Sequence, residues 1–272
     1  QIQTKHDEIT SSINYAKVIQ KAVLPAESFI RQFLPEHFIL SLPKSIVSGD
    51  FYWIRQLENR IFLAVADCTG HGVPGAFMSM LSIAYLNELI DHYRILQTDE
   101  ILNQMRKKIK RSMHQDRRKD TASDGLDIAL IMIDLNTNEM HFSGANRPMY
   151  ILRKDEGAQE ISMTKLNGDR QPIAVHIKET PFTRKEFQLK PNDEIYLFSD
   201  GFVDQFGGEF GEKFKTKRFK EMLTRNFGLS VTDQKSNILK EFYDWQGDYE
   251  QVDDVMLFNI RVQENYGDYE LF

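Results

Sequence analysis

Ala66-Asp-Cys-Thr-Gly-His-Gly-Val-Pro-Gly-Ala76 joins an apolar run, Ile61–Ala66, to a segment that reads as a helix from Pro74 to Tyr93. The branched and aromatic residues of the run favour a strand, and Pro74 suits a first helical turn, where its missing N–H is no loss. Asp67 therefore stands at a strand end, on the edge of a sheet. Three more aspartates hold such positions. Asp50 precedes Phe51–Gln56, Asp200 follows Glu194–Ser199, and Asp253 precedes Asp254–Arg261, each beside a Gly or another Asp. Strand termini project side chains to one edge of a sheet, so residues far apart in sequence can converge there. Oxygen-only clusters suit hard, octahedral Mg2+ or Mn2+, whereas zinc prefers His and Cys. Such cations also relieve the repulsion among packed carboxylates. Taken singly, an Asp beside a Gly is a turn residue, and the case rests on the four together.

Outward from that junction the chain divides into three parts: a helix over 1–24, a domain over 25–262 and an acidic, aromatic tail over 263–272. Ile2, His6, Ile9, Ile13, Ala16, Gln20 and Val23 alternate steps of four and three. A coiled-coil seam and an ordinary amphipathic helix both have this spacing. Pro25 ends the helix, and strands are expected from there on, beginning with Phe38–Leu42. Thr98 opens a helix with an apolar stripe through Ile101, Leu102, Met105, Ile109 and Met113. Strands follow at Asp127–Leu135, Glu139–Ala145, Met149–Arg153, Ile161–Leu166 and Phe182–Leu189. The glycine-rich segment Phe206–Phe214 reads as a mobile loop, and helices at Lys217–Asn226 and Asp233–Trp245 precede the last strand. Paired strands and paired helices predict an α+β fold in layers, not a doubly wound sheet.

Composition narrows the function. In a chain of 272 residues, 41% hydrophobic and 27% charged, a sizeable core is expected. A net charge of −6 argues against a protein built to hold nucleic acid. The basic run Arg106–Arg111, continued by Arg117–Lys119, reads as a solvated helix face, with docking of an acidic protein as the alternative. The lone cysteine, Cys68, makes an internal disulfide impossible and suits a reducing compartment. No apolar run is expected to approach the roughly 18 residues of a membrane span, and no signal peptide is visible. Because the first residue is Gln1, we expect the cytoplasmic output part of a longer regulatory protein, whose remainder carries a sensor or membrane anchor.

Gly70-His-Gly-Val-Pro-Gly75 has the spacing of a dinucleotide-binding turn, but its helix leads into a second helix, and the acid about 20 residues on, Asp91, lies within a helix. Cysteine-based phosphatases need an Arg six residues after the nucleophile. Pro74 stands there, so Cys68 reads as a small buried residue. The sequence has no H-E-x-x-H, G-x-S-x-G or Walker A motif. A phosphoprotein-binding module without turnover is the rival of a different class, and the full set of aspartates argues against it.

Val47-Ser-Gly-Asp-Phe-Tyr-Trp53, the 66–76 stretch, Phe198-Ser-Asp-Gly201 and Val252-Asp-Asp-Val-Met256, with Phe142-Ser-Gly-Ala-Asn-Arg-Pro148, resemble the SpoIIE-type branch of the PPM (protein phosphatase 2C-like) family in order and spacing. The resemblance covers Pro25 to Val262. It implies a β-sandwich flanked by pairs of helices, in α-β-β-α layers. It also implies a centre of two or more Mn2+ or Mg2+ ions and hydrolysis of phosphoserine or phosphothreonine on a partner protein, such as an anti-sigma-factor antagonist. The attacking group would be a metal-activated water, without a phosphoenzyme. Asp50, Asp67, Asp200 and Asp253 then supply the ligands together with the main-chain carbonyl of Cys68. Asp254 supports them, and Gly70, His71, Gly201 and Lys44 are candidates for support or substrate contact. Two positions depart from animal-type relatives. Their general-acid histidine follows the second motif aspartate by two residues, whereas His71 follows Asp67 by four; His71 either does acid–base work or supports the turn. Their phosphate-clamping arginine is replaced by Lys44, which is either a point-charge clamp or a surface residue. The branch further implies that the helix over 1–24 pairs two copies into a homodimer.

Overall fold

The structure, a computed structural model, describes residues 2–115 and 124–264. Two antiparallel five-stranded sheets face one another. The first runs in the order β1 (His37–Leu42), β12 (Val255–Arg261), β9 (Glu194–Phe198), β6 (Met149–Arg153), β7 (Ser162–Leu166). The second runs β2 (Phe51–Leu57), β3 (Arg60–Cys68), β4 (Leu126–Asp134), β5 (Glu139–Ala145), β8 (Lys185–Gln188). Along β3 the period of two sorts side chains between cores: Ile61, Leu63 and Val65 enter the layer between the sheets, while Phe62, Ala64 and Ala66 face the helices outside. Both faces of this strand are covered, so its sequence reads as a continuous apolar run.

Helix α3 (Gly72–Asn87), extended by a π-helical turn at Glu88–His92, covers the second sheet together with α4 (Thr98–Ser112). The first sheet is covered by α5 (Gly201–Asp204), α6 (Lys215–Asn226) and α7 (Val231–Gln246). The result is a mixed α/β sandwich in α-β-β-α layers with three apolar cores.

Gly72–His92 corrects the expectation about apolar runs. With 21 residues, and a mean hydropathy of 1.3 over its most apolar 18, it is long and apolar enough to cross a membrane. Serines and an asparagine interrupt it, so no continuous run is visible in the sequence. Met78, Ile83, Leu86, Leu89 and Ile90 bury it in the helix-side core. Phe206–Phe214 is a small hairpin, β10 (Phe206–Gly207) with β11 (Glu212–Lys213), instead of a mobile loop. Trp245 fixes it: its carbonyl accepts from Gly208 N at 2.8 Å, and its ring stands 5.5 Å from that of Phe214. The strand expected over Phe182–Leu189 shortens to β8, because Phe182 lies under the Arg106 guanidinium (4.7 Å) and donates its N–H to Asn103. A short helix, α2 (Glu27–Phe33), stands where only strands were expected, and buries Ile30 and Phe33 at the edge of the inter-sheet core.

Ile2–Val23 is one helix, α1. Of its spaced stripe, Ile13 and Ala16 are half-buried and Gln20 is buried, all in the half nearest the domain, while Ile2 and Ile9 are exposed. Gln20 Nε2 donates to Ser48 O (2.6 Å) and to Ser79 Oγ (3.0 Å), and its Oε1 accepts from Ser48 N (3.2 Å). Arg117–Lys119 and most of the tail, 265–272, lie outside the described residues.

Candidate metal centre

The strand period that builds the inter-sheet core also builds the site. The stripe Ile61, Leu63, Val65 continues to Asp67, and the stripe Ile133, Ile131, Ala129 of the neighbouring strand continues to Asp127. These two aspartates are register partners across β3 and β4. From the facing sheet, Ile260, Phe258 and Met256 lead to Asp254. Asp50 precedes β2, and Asp200 and Asp253 stand in the turns after β9 and before β12. The two sheets thus open at one end onto carboxylates.

The backbone there is packed too closely for side chains. A Cβ on Gly75 would sit 2.2 Å from Gly70 O, and one on Gly201 would sit 1.9 Å from Asp254 O. These contacts account for Gly75 and Gly201, and left-handed backbone (φ 82° and 67°) accounts for Gly70 and Gly72, without any nucleotide. Asp254 is buried, and its carboxylate accepts from Lys44 N and from Gly49 N, both at 2.7 Å. It thereby clamps the loop that carries Asp50. Asp253 Oδ1 accepts from Asp254 N at 2.8 Å.

Arg147, from the turn between β5 and β6, reaches into the cluster. Its Nη2 donates to Asp67 Oδ2 and to Asp200 Oδ2 (2.8 Å), and lies 3.5 Å from Asp127 Oδ2. Asn146 Nδ2 holds the other oxygen of Asp127 at 2.8 Å. Neither Asp127 nor Arg147 was singled out from the sequence. The alternation of β4 pointed to the former, and the resemblance of the 142–148 segment contained the latter.

One guanidinium does not satisfy this much negative charge. Burial, reinforced by the charge of Asp67, pushes Asp50 well above the usual carboxylate range, and its buried Oδ2 has no hydrogen-bond partner. Burial raises Asp67 to about 7 even though Arg147 pulls the other way. Burial likewise raises Asp127 and Asp253. An orphaned carboxylate oxygen and acids held above their normal range indicate a set of oxygens short of positive charge, which hard divalent cations fit. Cys68 is buried and its thiol is pushed up by burial and by the nearby carboxylates, so it is no nucleophile.

An open cleft of about 250 Å³ is lined by Asp67, Cys68, Gly70, His71, Asp127 and Asp253, among others. His71 is exposed at the start of α3 and makes no side-chain cap bond. Lys44 is exposed, and its charge draws the Asp253 carboxyl downward against burial. A different acidic group, Glu139, His141 and Glu186, lies toward the other end of β5, with ligand-type atoms within 4.8 Å of one another.

A sandwich of this layering, with an acidic cleft where its sheets part, defines the PP2C class of protein phosphatase domains. The profile of the SpoIIE family, described as stage II sporulation protein E, matches residues 58–263. A search of curated proteins gave no match. Among solved structures, the SiaA-PP2C domain of Pseudomonas aeruginosa is 31% identical, with a TM-score of 0.82 over 94% of this chain and 98% of that one. The PP2C phosphatase domain of SpoIIE from Bacillus subtilis, with a fragment of its regulatory domain, is 20% identical, with a TM-score of 0.64 over 85% of this chain and 63% of that one. The RsbU and RsbW domains of a Mycobacterium tuberculosis protein are 18% identical, with a TM-score of 0.65 over 86% and 62%. The chain belongs to the SpoIIE family and is a PP2C-type serine/threonine phosphatase.

Proposed function

We propose that Asp50, Asp67, Asp200 and Asp253, with the Cys68 carbonyl, hold two or more Mn2+ or Mg2+ ions, and that the site hydrolyses phosphoserine or phosphothreonine on a partner protein. The observation that carries the reading is the unpartnered oxygen of buried Asp50 beside the charges of Asp67 and Asp253, with Asp200 and Asp253 in turn acting on Asp67. Bound ions supply an activated water and stabilise the charge that develops on the phosphoryl group. The chain's own residues do the rest. Asp254 fixes the Asp50 loop, the Gly70–Gly75 packing fixes the turn behind Asp67, and Lys44 offers a point charge for the phosphate. His71 lines the cleft, which supports a part in acid–base work or in shaping the turn.

We take residues 25–262 as the phosphatase domain, residues 1–24 as its regulatory helix and the acidic stretch over 263–272 as a tail. The partner is inferred to be a phosphorylated anti-sigma-factor antagonist or a protein of that kind, on the strength of the family. A cytoplasmic location is supported by the single, buried cysteine. A homodimer through α1 is supported by the exposed Ile2, Ile9, Tyr15 and Val18.

The test is turnover of a phosphoserine peptide with added Mn2+. Replacing any one of the four aspartates by Asn is expected to lower turnover about a hundredfold or more, since each removes a charge that holds an ion. Far-UV circular dichroism should stay nearly unchanged. Near-normal turnover by Asp67→Asn would overturn the assignment, and no turnover by the intact chain would favour the binding module.

A further inference from the structure

Arg147 sits inside the carboxylate cluster, with its side chain 13% exposed. The backbone that carries it is fixed. Asn146 adopts a left-handed conformation (φ 55°), its N–H is held by Asp169 O at 2.8 Å, and Arg147 N donates to Ala145 O at 2.6 Å. The guanidinium is held differently. Its Nε is buried without a hydrogen-bond partner, and the ion pairs of Nη2 with Asp67, Asp200 and Asp127 keep the group in place. Two of those three carboxylates, Asp67 and Asp200, are assigned above to the ions, and Asp127 is not.

We propose that Arg147 is a resident counter-cation that competes with divalent ions for Asp67 and Asp200. Ion binding then requires the guanidinium to withdraw from these two carboxylates, with Asp127 as the partner it can keep. The physical reason is that one carboxylate oxygen cannot serve a guanidinium at hydrogen-bond distance and a divalent cation at coordination distance, and two cations in one cleft repel. A long side chain on a rigid turn suits such an exchange, because the backbone need not move. Without any cation, the three carboxylates would repel one another at the open end of the sandwich. The inference rests on the assignment of Asp67 and Asp200 as ion ligands.

Isothermal titration of Mn2+ into the full chain, stripped beforehand with EDTA, tests it in wild type, Arg147→Gln, Arg147→Lys and Asp67→Asn. Removing the charge is expected to tighten Mn2+ binding about tenfold. It should also lower the melting temperature of the stripped protein, because the carboxylates lose the guanidinium that pairs with them. Lys retains the charge but lacks the planar fork, so Arg147→Lys should fall between the two, and it serves if the Gln variant does not fold. Loss of binding in Asp67→Asn, with either Arg147 variant binding no tighter than wild type, would overturn the role of Arg147 alone. Unaltered binding in Asp67→Asn would overturn the ligand assignment itself.

Discussion

At the scale of single residues, Asp67 is under opposed demands, because the alternation that fills the core delivers a carboxylate where water is scarce. Its carboxyl is held at about 7, against an ordinary value of 3.8. Between those values the folded chain keeps a proton that the unfolded chain has released. The contribution to stability is therefore full below about pH 4, falls as pH rises towards about 7, and is level above that. Melting curves in EDTA should show the wild type less stable at about pH 8 than at about pH 5, and Asp67→Asn should show a smaller difference. An equal difference in both proteins would mean that Asp67 is not the titrating group. The four ligand candidates were legible in the sequence because each stands at a strand terminus, three of them beside a Gly or another Asp and Asp67 at the head of a glycine-rich turn. Arg147 was not, since its role arises when the β5–β6 turn closes onto the end of β3, 80 residues earlier in the chain. Asp127 was half legible: the alternation pointed to it, but no neighbouring glycine marked it.

At the scale of elements, the strands were readable because two-residue periodicity survives wherever one face meets the inter-sheet core. What escaped was short or held from a distance. The seven residues of α2 are too few to display a helical period. The β10–β11 hairpin depends on Trp245, from α7. Short elements also carry the tightest packing, as at α5, where Gly201 meets the carbonyl of Asp254. Gly201→Ala should destabilise the protein by about 1–3 kcal/mol, the usual cost of overpacking. Phosphatase activity should fall with it, because Asp254 clamps the Asp50 loop. Chemical denaturation and turnover measured side by side decide this, and a variant as stable and active as wild type would show that the contact relaxes freely. Helix α1 gives another prediction. Gln20 ties it to Ser48, two residues before Asp50, and to Ser79 on α3. Removal of residues 1–24, or Gln20→Ala, should lower turnover, and the intact chain should dimerise with concentration where the shortened one does not. Sedimentation and assays on each protein check both parts. If all are equally active monomers, the helix regulates nothing.

At the scale of the whole molecule, the ligand candidates are divided between two bodies. Asp67 ends a strand of the second sheet and Asp50 immediately precedes another, while Asp200 and Asp253 stand in turns that flank strands of the first. The distance between the pairs is set by the side chains that separate the sheets, among them Val65, Ile131, Leu197 and Phe258. The cleft therefore behaves as a calliper whose jaws are the sheets and whose opening is the thickness of the core. A change in that thickness, made far from any carboxylate, should be read out as a change in grip. Leu197→Ala removes a fully buried side chain from the jaw that ends in Asp200, at a cost of about 2–5 kcal/mol. If the jaws close or skew, Mn2+ should bind more weakly to the folded variant, and the rise in melting temperature on adding Mn2+ should shrink. Equal Mn2+ affinity would mean that the turns hold their spacing without the sheets. A phosphatase built this way is tunable from its interior, so a signal that presses on the sandwich need not touch the site to set its rate.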